Sequence, residues 1–123
     1  MSIKGTNTVE AAADLSAIQY HIMRLSAVNK CNMSSNAADS DMCGILQNKP
    51  QSGEPATIQY FGPGRAVAGA TVTAGDHITC DGSGRAITVT SGSMSLGQAL
   101  ETGASGNTID IVQYYPVRWA GAP

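Results

Sequence analysis

Apolar and polar positions follow the same order in two places along the chain. Cys43-Gly44-Ile45-Leu46 leads through Ser52-Gly53 into Ala56-Thr57-Ile58-Gln59-Tyr60. Leu96-Gly97-Gln98-Ala99-Leu100 leads through Ser105-Gly106 into Thr108-Ile109-Asp110-Ile111-Val112-Gln113-Tyr114. In each copy a Ser-Gly turn separates a short apolar segment from an alternating run that closes on Gln-Tyr, the pattern of an antiparallel hairpin. The second run is one residue longer. Because strand side chains alternate faces, a bulge has to absorb that residue if its apolar set is to stay inward.

The remaining segments read as short strands divided by turns. Ile18, Tyr20 and Ile22 alternate with Gln19, His21 and Met23, and Leu25 and Val28 extend the apolar supply, which predicts a first strand. Residues 29–41, rich in Asn, Ser, Ala and Asp, read as a loop or irregular hairpin. Phe61-Gly62-Pro63-Gly64 reads as a sharp turn, since Pro fixes φ and the glycines accept positive φ. Further strands are predicted around residues 65–68, 72–73, 77–80 and 85–90, with turn chemistry at Ala74-Gly75-Asp76 and Asp81-Gly82-Ser83-Gly84.

Strands this short, spaced by about 8–12 residues, predict a mainly β chain folded as a compact small β-barrel or sandwich. The β domain is expected over residues 18–115, with residues 43–60 and 96–114 as its duplicated strand-turn-strand unit. Residues 1–17 form an N-terminal arm in which Asn7 or Thr8 caps a short helix from Val9 to Ala13. Residues 116–123 form a C-terminal tail, because Pro116 is a poor member of a paired central strand.

Composition narrows the function. Charged residues are 13% of the 123-residue chain, against roughly a quarter in ordinary soluble domains. A surface so poor in charge suits one partly covered by neighbours. The net charge is −2, and the seven Lys and Arg residues stand singly along the chain. With no cationic cluster and only scattered aromatics, direct nucleic-acid binding is not expected. No apolar run approaches the roughly 20 residues of a membrane span. Met1-Ser2-Ile3-Lys4-Gly5 opens no hydrophobic signal segment, so synthesis in the cytoplasm is expected. Cys31, Cys43 and Cys80 are an odd number in such a chain and are expected to be reduced thiols.

Motifs that suggest chemistry do not complete themselves. His77 and Cys80, three apart on a predicted strand, point to opposite faces, and no Cys-x-x-Cys pair accompanies them, so a zinc site is not expected. Asp39-Ser40-Asp41-Met42-Cys43-Gly44 opens like a calcium loop, but Pro50 stands where the closing Glu belongs. Gly82-Ser83-Gly84 precedes a strand pattern and lacks the Lys-Ser/Thr of a phosphate loop. A Cys43 or Cys80 nucleophile would need a His base and an oxyanion site in one cleft, and the sequence marks no such set. No catalytic, metal-binding or cofactor-binding residue is assigned, and no cofactor is expected.

The joint order of Gly44-Ile45-Leu46-Gln47-Asn48-Lys49-Pro50, Ser52-Gly53-Glu54, Ala56-Thr57-Ile58, Ala68-Gly69, Ala74-Gly75-Asp76, Ile78-Thr79, Asp81, Gly84-Arg85-Ala86 and Gly97-Gln98-Ala99-Leu100-Glu101 resembles the tailed-phage head decoration, or capsid cement, family. The likeness runs from about Asp14 to Tyr114. It implies a non-enzymatic β-rich virion protein that is made in the host cytoplasm, binds the outer surface of the head and reinforces contacts among major capsid protein subunits. It also implies a homo-oligomer, with a trimer favoured over a dimer. The candidate capsid or subunit contacts are Ile3, Val9 and Leu15 of the arm and Trp119 of the tail. The alternative is a virion or cell-surface carbohydrate-binding module, with Tyr60, Phe61, Tyr114 and Tyr115 as an aromatic platform if the duplicated strands lie side by side.

Overall fold

The computed structural model describes residues 5–35, 42–90 and 92–118, without the side chains of Tyr115, Pro116 and Arg118. Its regular elements are β1 (Gly5–Ala11), β2 (Ile22–Ala27), β3 (Lys30–Met33), β4 (Met42–Leu46), β5 (Pro55–Val67), β6 (His77–Cys80), β7 (Ala86–Thr88), β8 (Met94–Ala99) and β9 (Thr108–Arg118). They are ordered β1-β3-β2-β4-β5-β9-β8-β6-β7, and β1 also pairs with β5. That extra pairing closes β1, β3, β2, β4 and β5 into a five-stranded barrel, from which β9, β8, β6 and β7 continue as an open sheet. The chain is the mainly β, compact barrel that its short strands predict.

Strand β5 joins the two parts. Its first half lies between β1 and β4, with Gln59 opposite both Thr6 and Ile45, while its second half pairs with β9 from Gly62↔Gln113 to Val67↔Thr108. The expected turn at residues 61–64 is therefore a bend inside one strand. Gly62 has φ 95°, open to glycine and strained for other residues. The Gln59 Nε2 group donates to the carbonyls of Gly62 at 3.1 Å and Pro63 at 2.9 Å, so the bend is clamped by a side chain from the same strand. Sheets commonly turn corners at such bends.

Two cores result. Leu15, Met23, Cys31, Leu46 and Ile58 fill the barrel interior, and small barrels are filled by side chains in this way. Ile22, Met42 and Ile45 leave the outside of the same barrel strands and pack with Ala66, Ile78, Leu96, Ile109 and Ile111 of the second sheet. Strand alternation supplies both, as adjacent residues Ile22 and Met23 enter different cores. In β4 the alternation is reset by a bulge at Cys43, where the register passes from Met23↔Gly44 to Arg24↔Met42. Gly44 is needed there: it has φ 146°, and a Cβ on it would stand 2.2 Å from the Gln59 carbonyl oxygen.

The two repeated stretches form the antiparallel hairpins β4–β5 and β8–β9 on equivalent rungs. Ile45↔Gln59 and Leu46↔Ile58 in one match Gln98↔Val112 and Ala99↔Ile111 in the other. Val112 thus occupies the place of Gln59, and the extra residue is not absorbed before the Gln-Tyr pair. Bulges come later in both copies, at Tyr60 opposite the Gly5/Thr6 step and in β9 between Gln113 and Val117. Pro116 falls within that second irregularity, which is how a strand reaching Arg118 accommodates it.

The N-terminal part of the described chain departs from expectation. Residues 5–11 are a strand, not an arm with a helix: Glu10 and Ala11 lie parallel to Lys30 and Cys31, while residues 5–10 run antiparallel to β5. The Ala11 N–H donates to the Glu54 carbonyl and the Ala12 N–H to the Cys31 carbonyl, both at 2.9 Å. A three-alanine helix bias is weak against ladders on both sides. Leu15, placed among the contact candidates, is 2% exposed and belongs to the barrel core, so it is corrected to a core residue. Residues 16–20 form turns, with Tyr20 at φ 67°, and β2 begins only at Ile22. Before them Asp14 accepts from the Ser16 hydroxyl at 2.7 Å and its N–H at 3.0 Å, which lowers the Asp14 pKa. Lys30–Met33, expected within a loop, forms β3, and residues 36–41 lie outside the described residues.

Gly44→Val is expected to cost about 2–3 kcal/mol in urea unfolding, from steric overlap with β5, whereas Val28→Ala, at a site 89% exposed, stays within about 0.5 kcal/mol. Deleting residues 1–11 removes the strand that closes the barrel. The truncated chain is expected to lose its cooperative unfolding transition, followed by near-UV circular dichroism; a sharp transition at the wild-type midpoint would show that β1 is dispensable.

Candidate interaction surface

Among the described residues six large apolar side chains are exposed, and three of them, Leu25, Tyr60 and Phe61, lie at or beside one groove of the barrel, while Val28, Leu100 and Val117 do not line it. Leu25 of β2 is 45% exposed, and Tyr60 and Phe61 of β5 are 40% and 37% exposed. The β5 bulge lies here, and the two rings meet edge to face, with centroids 5.1 Å apart and planes at 69°. Phe61 lies over Gly5, where a Cβ would come within 2.0 Å of the ring. Beside them is a groove of about 280 Å³ lined by Asn7, Val9, Leu25, Met42, Cys43, Ile58 and Tyr60, without a charged side chain. Ile58 belongs to the barrel core and Val9 and Cys43 pack against it, so the groove is a mouth of the barrel.

Of the contact candidates taken from the sequence, Val9 is in this groove, Leu15 is not, and Ile3 and Trp119 lie outside the described residues. Leu25 was not anticipated, and Tyr60 was named only for the aromatic platform of the alternative reading. The adjacent aromatics Tyr60-Phe61 were a visible signal, but a strand ending in two rings is also how a core is closed, and only the bulge turns both outward.

Side chains with chemical potential are placed elsewhere. The Tyr114 hydroxyl is bonded to His77 Nδ1 at 2.8 Å and to the Ser95 hydroxyl, inside the β6–β8–β9 part of the open sheet. Ser95 is fully buried. Cys80 Sγ lies 3.3 Å from the Ser34 hydroxyl, and both residues are buried. Burial pushes the Cys31 thiol up from its ordinary pKa and disfavours the thiolate. Tyr60 and Phe61 remain together, but Tyr114 is engaged with His77 and Ser95, so the described rings do not assemble one aromatic platform. Among the described residues, no three His, Cys, Asp or Glu side chains come together as a metal site.

A second cleft, about 460 Å³, is lined by Tyr20, Gln47, Gln59, Arg65, Leu100 and Asp110, among others. Its charged pair, Arg65 Nε to Asp110 Oδ1 at 3.4 Å, is more than half exposed on both sides and contributes little to stability.

Residues 5–114 match the phage cement protein family. The chain belongs to that family. Phage cement proteins are structural proteins of the virus particle. No curated protein sequence matches this cement protein. Among solved structures it is similar to the head fiber gp8.5 N base of bacteriophage phi29, at 15% sequence identity and a TM-score of 0.69. The match covers 95% of this chain and 100% of that one, and at this identity the likeness is one of fold.

The three thiols are expected to separate by access. In the folded protein iodoacetamide should modify Cys43, which lines the groove, while Cys31 and Cys80 should react only after denaturation. Peptide mass mapping reads the sites, and equal labelling of all three under native conditions would contradict the described packing.

Proposed function

We propose that this cement protein attaches to the outer surface of a phage head and stabilises contacts between major capsid protein subunits. Membership of the phage cement protein family over residues 5–114 carries the reading. The likeness to a phage head fiber base fits it. The protein is synthesised in the host cytoplasm and acts on the virion as a homo-oligomer, a trimer in preference to a dimer. It has no catalytic role.

The contact surface is the barrel mouth. Leu25, Tyr60 and Phe61 supply exposed apolar area, and the uncharged groove beside them accepts an apolar side chain without desolvating an ion. Aromatic anchors beside pockets are the usual centres of binding energy at protein interfaces. Val9 contributes from the groove, and Ile3 and Trp119 add contacts from the ends of the chain. If each copy of an oligomer grips a different capsid subunit, pulling those subunits apart must also break cement contacts. Linked attachment therefore raises the resistance to rupture beyond what one weak contact gives.

Purified protein mixed with undecorated heads should bind at a fixed stoichiometry, visible by cryo-electron microscopy, and raise the temperature at which heads open. Leu25→Asp and Tyr60→Asp should remain folded, because both sites are exposed, and should weaken attachment by at least about tenfold. Failure of the wild-type protein to bind heads would reject the reading. Glycan-array binding without head binding would favour the carbohydrate module instead.

A further inference from the structure

The bend of β5 brings two buried glutamines to the same face of the β5–β9 ladder. Gly62, Gly64 and Ala66 of β5 stand opposite Gln113, Ile111 and Ile109 of β9. Ala66, Ile109 and Ile111 all belong to the core between the barrel and the open sheet, so that face is the inner one. Gln113, two residues beyond Ile111, projects from it as well and is 3% exposed. The Gln59 side chain lies across the same face, since a Cβ on Gly64 would meet its amide nitrogen at 2.7 Å and its amide oxygen at 2.9 Å. Gln59 is 1% exposed, and it stands opposite Ile45, another residue of that core. Gly62, the residue opposite Gln113, contributes no side chain of its own to this face.

Their hydrogen bonding is incomplete in a complementary way. Gln59 Nε2 has both donor positions engaged by the Gly62 and Pro63 carbonyls, while Gln59 Oε1 has no partner among the described residues. Gln113 Nε2 and Oε1 have none either. One buried acceptor on Gln59 thus faces the same core as a buried amide donor and acceptor on Gln113. Buried polar groups are almost always satisfied, and internal water is the usual agent where protein groups do not reach one another.

We propose that Gln59 and Gln113 form an internal hydration site, in which a bound water accepts from Gln113 Nε2 and donates to Gln59 Oε1. The water would bridge the corner strand β5 to β9 next to the backbone clamp that Gln59 makes. Gln59 then has two roles at the bend: its nitrogen holds its own strand, and its oxygen ties that strand to the neighbouring hairpin through water. The inference depends on the fold alone and stands whether or not the protein binds heads.

Oxygen-17 relaxation dispersion on the full-length protein counts waters held longer than nanoseconds, and a crystal structure at high resolution locates them. The expected result is an ordered water within about 3.2 Å of both Gln113 Nε2 and Gln59 Oε1. In Gln113→Leu, which keeps the volume and removes both amide atoms, the long-lived count should fall by at least one. A direct Gln113 Nε2 to Gln59 Oε1 hydrogen bond in the crystal, or an unchanged count in a folded Gln113→Leu, overturns the proposal. Should that variant fail to fold, the wild-type crystal structure decides alone.

Discussion

The barrel and the open sheet are joined through the backbone of β5, which takes different partners along its length. Unpaired backbone N–H and C=O groups are costly once water is excluded. The first half of the strand meets this demand with β1 on one side and β4 on the other, and the second half with β9. The change of partner is possible because the strand bends at Gly62, where no Cβ opposes a positive φ and the Gln59 amide holds the carbonyls of the bend. A straight β5 would keep its early neighbours and leave β9 paired to β8 alone, and the core between the barrel and the open sheet would not form.

Barrel closure follows from the same strand. Pairing of β1 with β5 removes the sheet edges that β1 and β5 would otherwise present, and exposed edges invite unwanted association. The remaining end of the strand order is β7, only three residues long and bridged at Ala86 to Ala68. So short an edge offers little for strand addition. That makes the exposed Leu25, Tyr60 and Phe61 more telling than their number suggests, since they are gathered where a bulge turns consecutive aromatics outward.

Family membership and geometry constrain function at different levels. The match over residues 5–114 gives a structural role in a phage particle, and a fold alone would not, because similar small barrels host unrelated functions. The geometry adds what the chain can offer a partner: an uncharged apolar mouth, few ion pairs, and polar groups such as His77, Tyr114 and Ser95 bonded to one another within the sheet.

The sequence by itself determined that this is a β protein of short strands built around two related hairpins, because alternation and Ser-Gly turns are local properties that survive in any packing. Its order of motifs also carried the family resemblance. It did not determine what pairs with what. Ala11-Ala12-Ala13 looks helical until the strands on either side of it are known, Leu15 looks available for contact until the barrel encloses it, and Gly62-Pro63-Gly64 looks like a turn until β9 pairs across it. The off-by-one relation of Gln59 and Gln113 is likewise invisible in an alignment on Gln-Tyr, since only the ladder shows that Val112 and Gln59 share a rung. Those outcomes depend on long-range hydrogen bonds and burial, which chain-local preferences do not encode and only the closed tertiary structure decides.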